Sequence, residues 1–371
     1  MLLALLSLVL LPFLRHARNR LLSGQPIDTL AALGQAGSIW TACLGVGLLL
    51  VVWPLVRPTR LACWAGLLGA GLAIAAAAGA GAGAADHLAA GAASSSRTSL
   101  GAGTWLFGAV LLLIASDAAR RLRYGLAGIL PVFGPLAILL ALGTLAPLSL
   151  LREYAAQHDA FRAALVQHIL LVLGALGPAL LIGVPLGIAA QRRAALRRVA
   201  FPALNLIQTI PSIALFSLLI GPLSWLGKIV PGVSGIGTIP ALIALVLYSL
   251  LPIVWNTVEG LDGVPRDVRI AARGMGLSPA QCFLQVDTPL AMPVLLSGLR
   301  ITAVQAVGLA AVSALIGAGG LGAIIFQGLF ANALDLVILG ALPVIALAVA
   351  TDLLFRLLTT FSRAALGGAA R

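Results

Sequence analysis

Ten apolar stretches divide this chain, at residues 2–14, 38–56, 61–84, 104–117, 126–150, 164–190, 199–226, 236–256, 290–317 and 334–360. Most are near the ~20 residues that an α-helix needs to cross a hydrocarbon core of ~30 Å. No water reaches backbone groups at that depth, so each crossing segment has to satisfy its own N–H and C=O groups as a helix. The ~10-residue alternating strands of a membrane barrel are not what the pattern offers. Composition agrees: 61% of the residues are hydrophobic and 9% charged, where soluble domains carry about a quarter charged. The expected fold is all-α, a polytopic transmembrane helical bundle of about 10 spans. The stretch 2–14 is the weak member, because a helix of that length rises only ~20 Å, and it lacks the basic start and small-residue cleavage site of a secretory signal.

The formal net charge is +12, nearly all of it arginine, with Lys228 the only lysine. The basic residues sit in short loops between apolar runs, which argues for membrane orientation and against nucleic-acid binding. One alternate set of loops holds Arg57, Arg60, Arg120, Arg121, Arg123, Arg192, Arg193, Arg197, Arg198, Arg266, Arg269, Arg273, Arg363 and Arg371. The other holds Arg15, Arg18, Arg20, Arg97, Arg152, Arg162 and Lys228. Fourteen against seven places the first set and both termini inside. The cluster at Arg15, Arg18 and Arg20 runs against that rule. Cys43, Cys63 and Cys282 form no CxxC pair and the four histidines are scattered, so neither a disulfide framework nor a metal site is expected.

Between two spans lies TVEGLDGVPRDVRIAARGMGLSPAQCFLQVDTP, residues 257–289, with seven charged side chains. So polar a stretch is an aqueous loop. Val268, Ala271, Ala272 and Met275 recur at helical spacing, Pro265 is placed to start a helix and Gly276 to end it. A structured helix on a loop of the inner side reads as a docking site for a soluble partner.

The loop also resembles the cytoplasmic loop of permeases of ATP-binding-cassette importers, whose pattern is Glu-Ala-Ala, three residues, Gly, nine residues, Ile-x-Leu-Pro. Ala271-Ala272, Gly276 and Val286 to Pro289 match that spacing without a gap, while Ile270 replaces the Glu and Thr288 the Leu. Three further segments resemble permeases for glycine betaine, carnitine and choline: Gln208-Thr209-Ile210-Pro211-Ser212, Tyr248 through Asn256-Thr257, and Ala314 through Gly322. A short match at Asn19 to Gly24 resembles the longer permease subunits of that branch. The resemblance implies a five-helix importer core over residues 156–365, with 1–155 as additional N-terminal helices. It implies a multi-pass protein of the bacterial inner membrane that works with an ATPase subunit, an extracytoplasmic substrate-binding protein and a second permease chain, in contact with membrane lipid. ATP is then bound by the partner subunit, and this chain needs no cofactor or metal. Arg266, Arg269, Ala271, Ala272, Arg273, Gly276 and Pro289 become the candidate ATPase-coupling loop.

Within the spans, Pro211 interrupts an apolar run beside Gln208, Thr209 and Ser212, which reads either as a broken helix lining a path or as a compensated kink. With Tyr248, Asn256, Gly317, Gly319 and Gly320 these are the candidate translocation-path residues. The glycines also fit helix termination and tight packing. No enzyme motif is found: Gly221 to Lys228 has the wrong spacing for a phosphate loop, and Ile229 stands where the metal-binding hydroxyl belongs. Two other readings share the composition. A secondary transporter of a small polar solute calls for paired intramembrane acids or inverted repeats, and a non-transporting membrane scaffold calls for no docking helix.

Overall fold

The computed structural model describes residues 1–19, 24–57, 59–90, 95–122 and 125–365. Residues 20–23 of the Asn19–Gly24 motif, Arg20 among them, together with Arg123, Arg371 and part of the Ser/Gly-rich stretch after residue 90, therefore lie outside the described residues. Two compact units are present. One comprises Met1–His158 with Gln327–Leu339, the other Asp159–Phe326 with Gly340 onward.

The first unit is built from α1 (Leu2–Leu10), α2 (Thr29–Ala36), α3 (Ser38–Val56), α4 (Arg60–Ala90), α5 (Ala102–Arg121), α6 (Gly134–Ala141) and α7 (Ser149–Ala156). Its centre is α4, whose alanines and glycines let neighbouring backbones approach closely. A Cβ on Gly69 would lie 2.5 Å from the Leu50 Cβ, and one on Gly47 would lie 2.8 Å from the Ala73 nitrogen. The apolar stretch 126–150 is not one helix. Pro131, Gly134 and Pro135 break it into a 3-10 segment (Gly125–Phe133) and α6, with a turn at Gly143 (φ 72°). These pieces run along α4: Val132 O meets Gly71, and Leu145 and Leu148 pack on Ala78 and Ala82. The stretch 2–14 yields only nine residues of helix, about 13 Å of rise, and then a strand.

That strand, β1 (Leu14–Ala17), lies between β2 (Gln25–Ile27) and β3 (Arg97–Leu100) in a small antiparallel sheet. Leu14 is opposite both Ile27 and Leu100. His16 Nδ1 and Thr98 Oγ1 are 2.9 Å apart across it. Two arginines of the smaller loop set meet beside the sheet: Arg97 and Arg152 both donate to the Ser96 carbonyl, at 3.1 and 3.3 Å.

The second unit contains α8 (His158–Arg192), α9 (Ala194–Thr209), α10 (Ser212–Leu226), α11 (Thr238–Asp262), α12 (Arg266–Gly274), α13 (Pro279–Cys282), α14 (Thr288–Val312), and most of α15 (Leu321–Phe330) and α16 (Leu334–Ala365), whose segments within Gln327–Leu339 belong to the first. Leu171, Ala175, Leu245, Ala303, Ala306, Val307 and Ala310 make one core of α8, α11 and α14. Glycines again set the spacing: Gly187 fits against Thr257, and Gly298 against Asn256. Arg300 approaches Asp352 to 3.7 Å, and Asp352 also holds Arg356 at 2.6 Å, so Arg300 is paired instead of merely reaching for the membrane surface.

Seven described helices are long and apolar enough to cross a membrane, or eight if the bent pair α9–α10 is one span. Eight of the ten apolar stretches of the sequence fall on these. The chain is a polytopic helical membrane protein, and among the described residues the small sheet is the one addition to the expected all-α class.

Candidate functional site

The polar segment at Gln208–Ser212 breaks a span outright. Helix α9 ends at Thr209, Ile210 and Pro211 are extended, α10 starts at Ser212, and the two axes differ by 103°. This is a change of direction and not the kink of a single proline. Two bonds from α11 hold it. Pro252 has no N–H for the carbonyl one turn earlier, that of Tyr248. Gln208 Nε2 fills that place, donating to Tyr248 O at 2.8 Å. In return the Tyr248 hydroxyl donates to the Ile210 carbonyl at the break itself. Tyr248 is 5% exposed and packs with Leu215, Phe216 and Ala244. Each carbonyl stranded at membrane depth thus finds a donor on the neighbouring helix.

Not all the candidate path residues gather here. Gln208, Pro211, Ser212 and Tyr248 share the break. Thr209 and Pro211 are exposed. Asn256 lies two turns along α11, where Nδ2 donates back to Pro252 O at 2.7 Å. Asn205 was not singled out from the sequence, yet it is exposed one helical turn before Thr209 on the same face. The signal was a second polar residue four positions away.

Gly317, Gly319 and Gly320 form a separate structure, a turn joining the 3-10 segment Ser313–Ile316 to α15. All three have left-handed φ, at 82°, 75° and 72°, which only glycine adopts freely. Gly237 N donates to Ile316 O at 2.7 Å, and Gly322 sits so close to Ala311 that a Cβ would lie 1.9 Å from its carbonyl oxygen. Gln167 on α8 grips the turn, its Nε2 donating to Ala318 O at 2.7 Å and its Oε1 accepting from Gly320 N at 3.3 Å. Sequence reading passed over Gln167, whose one signal was an amide inside an apolar run.

The polar loop folds as the punctuation in its sequence requires. Pro265 caps α12 with extended backbone, and Gly276 (φ 85°) ends it. Gly276 N donates to Arg273 O and Leu277 N to Ala272 O, the paired bonds of a Schellman turn. Ser278 and Gln281 then form a reciprocal capping box that starts α13. Among the candidate coupling residues, Arg269 and Ala272 face inward. Arg269 Nε bonds Asp287 Oδ1 at 2.7 Å and its guanidinium also bonds Leu261 O at 2.6 Å. It therefore links α12 to the end of α11 and the approach to α14. Arg266, Ala271, Arg273 and Gly276 are exposed, and Pro289 stands in the first turn of α14. Val268, Ala271 and Met275 do not share the buried side with Ala272, because α12 packs inward only at Arg269 and Ala272. Ile270, Met275 and Leu284 are 67%, 75% and 65% exposed, an apolar surface on an aqueous loop. No atom lies within 4 Å of a Cβ built on Gly276, so its turn conformation and not a packed joint demands glycine. Arg192 stacks on the Phe283 ring at 5.0 Å, and Arg197 pairs with Asp262 at 3.0 Å along the same edge.

The class the structure defines is a multi-pass helical membrane bundle with a broken span and a capped, exposed loop helix. Residues 179–363 match the family of binding-protein-dependent transport system inner membrane components, and residues 1–151 match the N-terminal domain of the ABC transporter permease YehY. The chain is 44% identical over 192 residues to the osmoprotectant import permease protein OsmW of Salmonella typhimurium, covering 52% of this chain and 86% of that one. It is 36% identical over 186 residues to the carnitine transport permease protein OpuCB of Listeria monocytogenes, covering 50% of this chain and 80% of that one. It is also 36% identical over 186 residues to the choline transport system permease protein OpuBB of Bacillus subtilis, covering 50% and 81%. The chain belongs to the family of binding-protein-dependent transport system inner membrane components. It is a multi-pass inner-membrane permease component of an ATP-driven importer and not itself an enzyme.

Proposed function

We propose that the chain carries compatible solutes of the glycine betaine, carnitine and choline type into the cell. The observation that carries this reading is the identity of 36–44% to relatives named for osmoprotectant, carnitine and choline transport, over four-fifths or more of their length. The core is residues 156–365, with 1–155 as an added set of helices. Two permease chains enclose the path, an ATPase subunit docks on each from inside, and a substrate-binding protein delivers solute from outside.

In this reading the exposed apolar and basic surface of α12 meets the ATPase. Closure of the ATPase pair pushes α12, and Arg269 passes the displacement to α11 and α14 through Leu261 O and Asp287. Helix α11 carries Tyr248, so the displacement reaches the break at Ile210–Pro211. Asn205, Thr209 and Pro211 are exposed in the single chain within an apolar span, which fits a wet path between two chains. Arg266, Ala271, Arg273, Gly276 and Pro289 shape the docking loop, while Gln208, Ser212, Asn256 and the glycine turn shape the path.

The test is uptake of radiolabelled glycine betaine and choline at high osmolarity in cells lacking other importers of these solutes. The chain, expressed with its ATPase and binding protein, should restore uptake. Absence of uptake of any such solute by an assembled complex refutes the substrate class.

A further inference from the structure

The glycine turn at 317–320 lies against two neighbouring side chains of α8, of which Gln167 alone bonds it. His168 is completely buried. Its Nε2 lies 3.1 Å from Val307 O. A carbonyl can only accept, so Nε2 carries the proton and Nδ1 is a bare acceptor. Nδ1 is buried without a partner. A buried polar atom left unpaired in a core is uncommon and calls for a reason. It lies beside the turn: a Cβ built on Gly320 would be 3.3 Å from it. The Gly320 N–H meanwhile donates to Gln167 Oε1 at 3.3 Å, a long bond. The donor therefore has one acceptor, bonded at long range, and a second, vacant acceptor lies on the Cβ side of the same glycine.

The backbone around the donor is free to move between them. Gly317, Gly319 and Gly320 have no side chains and stand at positive φ, and glycine crosses between backbone regions at little steric cost. Gln167 is exposed in the single chain, so it has room to release the turn, whereas His168 is fixed by Val307. Hinges of this kind are a few residues at an element end that absorb a change in φ and ψ.

We propose that the glycine turn is a two-position device in which the Gly320 N–H exchanges between Gln167 Oε1 and His168 Nδ1, making these two α8 residues positioning residues for the transport cycle. In both positions the amide keeps an acceptor, so the exchange proceeds without stranding a polar group at membrane depth. Any coupling of the exchange to solute import rests on the importer reading above. The exchange itself does not.

Amide hydrogen exchange at Gly320 in the purified full-length chain tests the device without solute or ATPase. Gln167→Ala alone should leave Gly320 protected, because His168 Nδ1 takes the amide. His168→Gln alone should also leave it protected: the glutamine amide replaces Nε2 toward Val307 O, removes the Nδ1 acceptor, and leaves Gln167 in place. The double variant should exchange at least about tenfold faster than either. If Gln167→Ala alone exchanges as fast as the double variant, or the double variant stays protected, the two-acceptor device is wrong. If His168→Gln does not fold, His168→Leu replaces it as the variant without an acceptor, and Gln167→Ala with His168→Asn, which restores an acceptor at the Nδ1 position, should stay protected where Gln167→Ala with His168→Leu does not. In the assembled complex, stimulation of ATP hydrolysis by loaded binding protein should fall severalfold in each single variant while basal hydrolysis persists. Full stimulation in both would overturn the role in the cycle. A wild-type complex that glycine betaine and choline fail to stimulate would count against the substrate reading alone.

Discussion

Removing the side-chain amide of Gln208 should destabilise the protein by an amount that depends on a proline in another helix. Gln208→Leu keeps the bulk of the side chain and deletes the 2.8 Å bond to the Tyr248 carbonyl. That carbonyl has no intrahelical N–H at the usual place, because residue 252 is proline. A buried carbonyl left without a donor costs about 1–3 kcal/mol. Measured hydrogen bonds between membrane helices average about 0.6 kcal/mol and reach about 1.7. The overlap puts the loss at about 1–2 kcal/mol, or five- to thirtyfold in the folded-to-unfolded ratio. Pro252→Ala returns an N–H to Tyr248 O. In that background Gln208→Leu should cost less than about 0.5 kcal/mol, because the carbonyl no longer needs the neighbouring helix. Reversible unfolding of the four proteins in mixed micelles, read by circular dichroism, measures both differences. The same loss in both backgrounds would refute the claim that Gln208 serves the carbonyl stranded by Pro252.

Two further outcomes concern the loop. Gly276→Val places a β-branched residue at φ 85°, at about 1–2 kcal/mol of backbone strain, and should lower co-purification of the ATPase subunit without lowering membrane insertion. Gly276→Asn, which tolerates that φ, should retain the partner, and equal recovery with both variants would show that the turn conformation is irrelevant. Arg269→Leu leaves the half-buried Asp287 without its 2.7 Å partner and removes the 2.6 Å bond to Leu261 O, about 1–3 kcal/mol of local stability. Hydrogen exchange across residues 263–287 should then accelerate by tenfold or more, and unchanged protection would remove Arg269 from its linking role.

Much of the architecture was legible because membrane helices satisfy their own backbones. A run of ~20 apolar residues has one solution at that depth, so α3, α4, α5, α8, α11, α14 and α16 follow from hydropathy alone. The loop helix was equally local: Pro265 and Gly276 set its boundaries through backbone geometry within a few residues. Where the outcome depended on residues distant in sequence, the pattern was silent. The stretch 126–150 has the composition of a span, but Pro131 and Pro135 break it into short pieces that lie along the small residues of α4. The strands at 14–17, 25–27 and 97–100 are too short for alternation to show, and exist because Leu14 has partners on both sides. Helix direction likewise does not determine which face a neighbour covers, so Val268 and Met275 share a spacing with Ala272 but not its burial. At Pro211 the sequence announced an interruption. Its form, a 103° turn clasped by Gln208 and Tyr248, was decided by a carbonyl that Pro252 leaves free 40 residues further on. Backbone groups must be satisfied wherever they fall in a membrane. The helices are therefore written in the local sequence, and the identity of the side chain that completes each break is settled only when the helices meet.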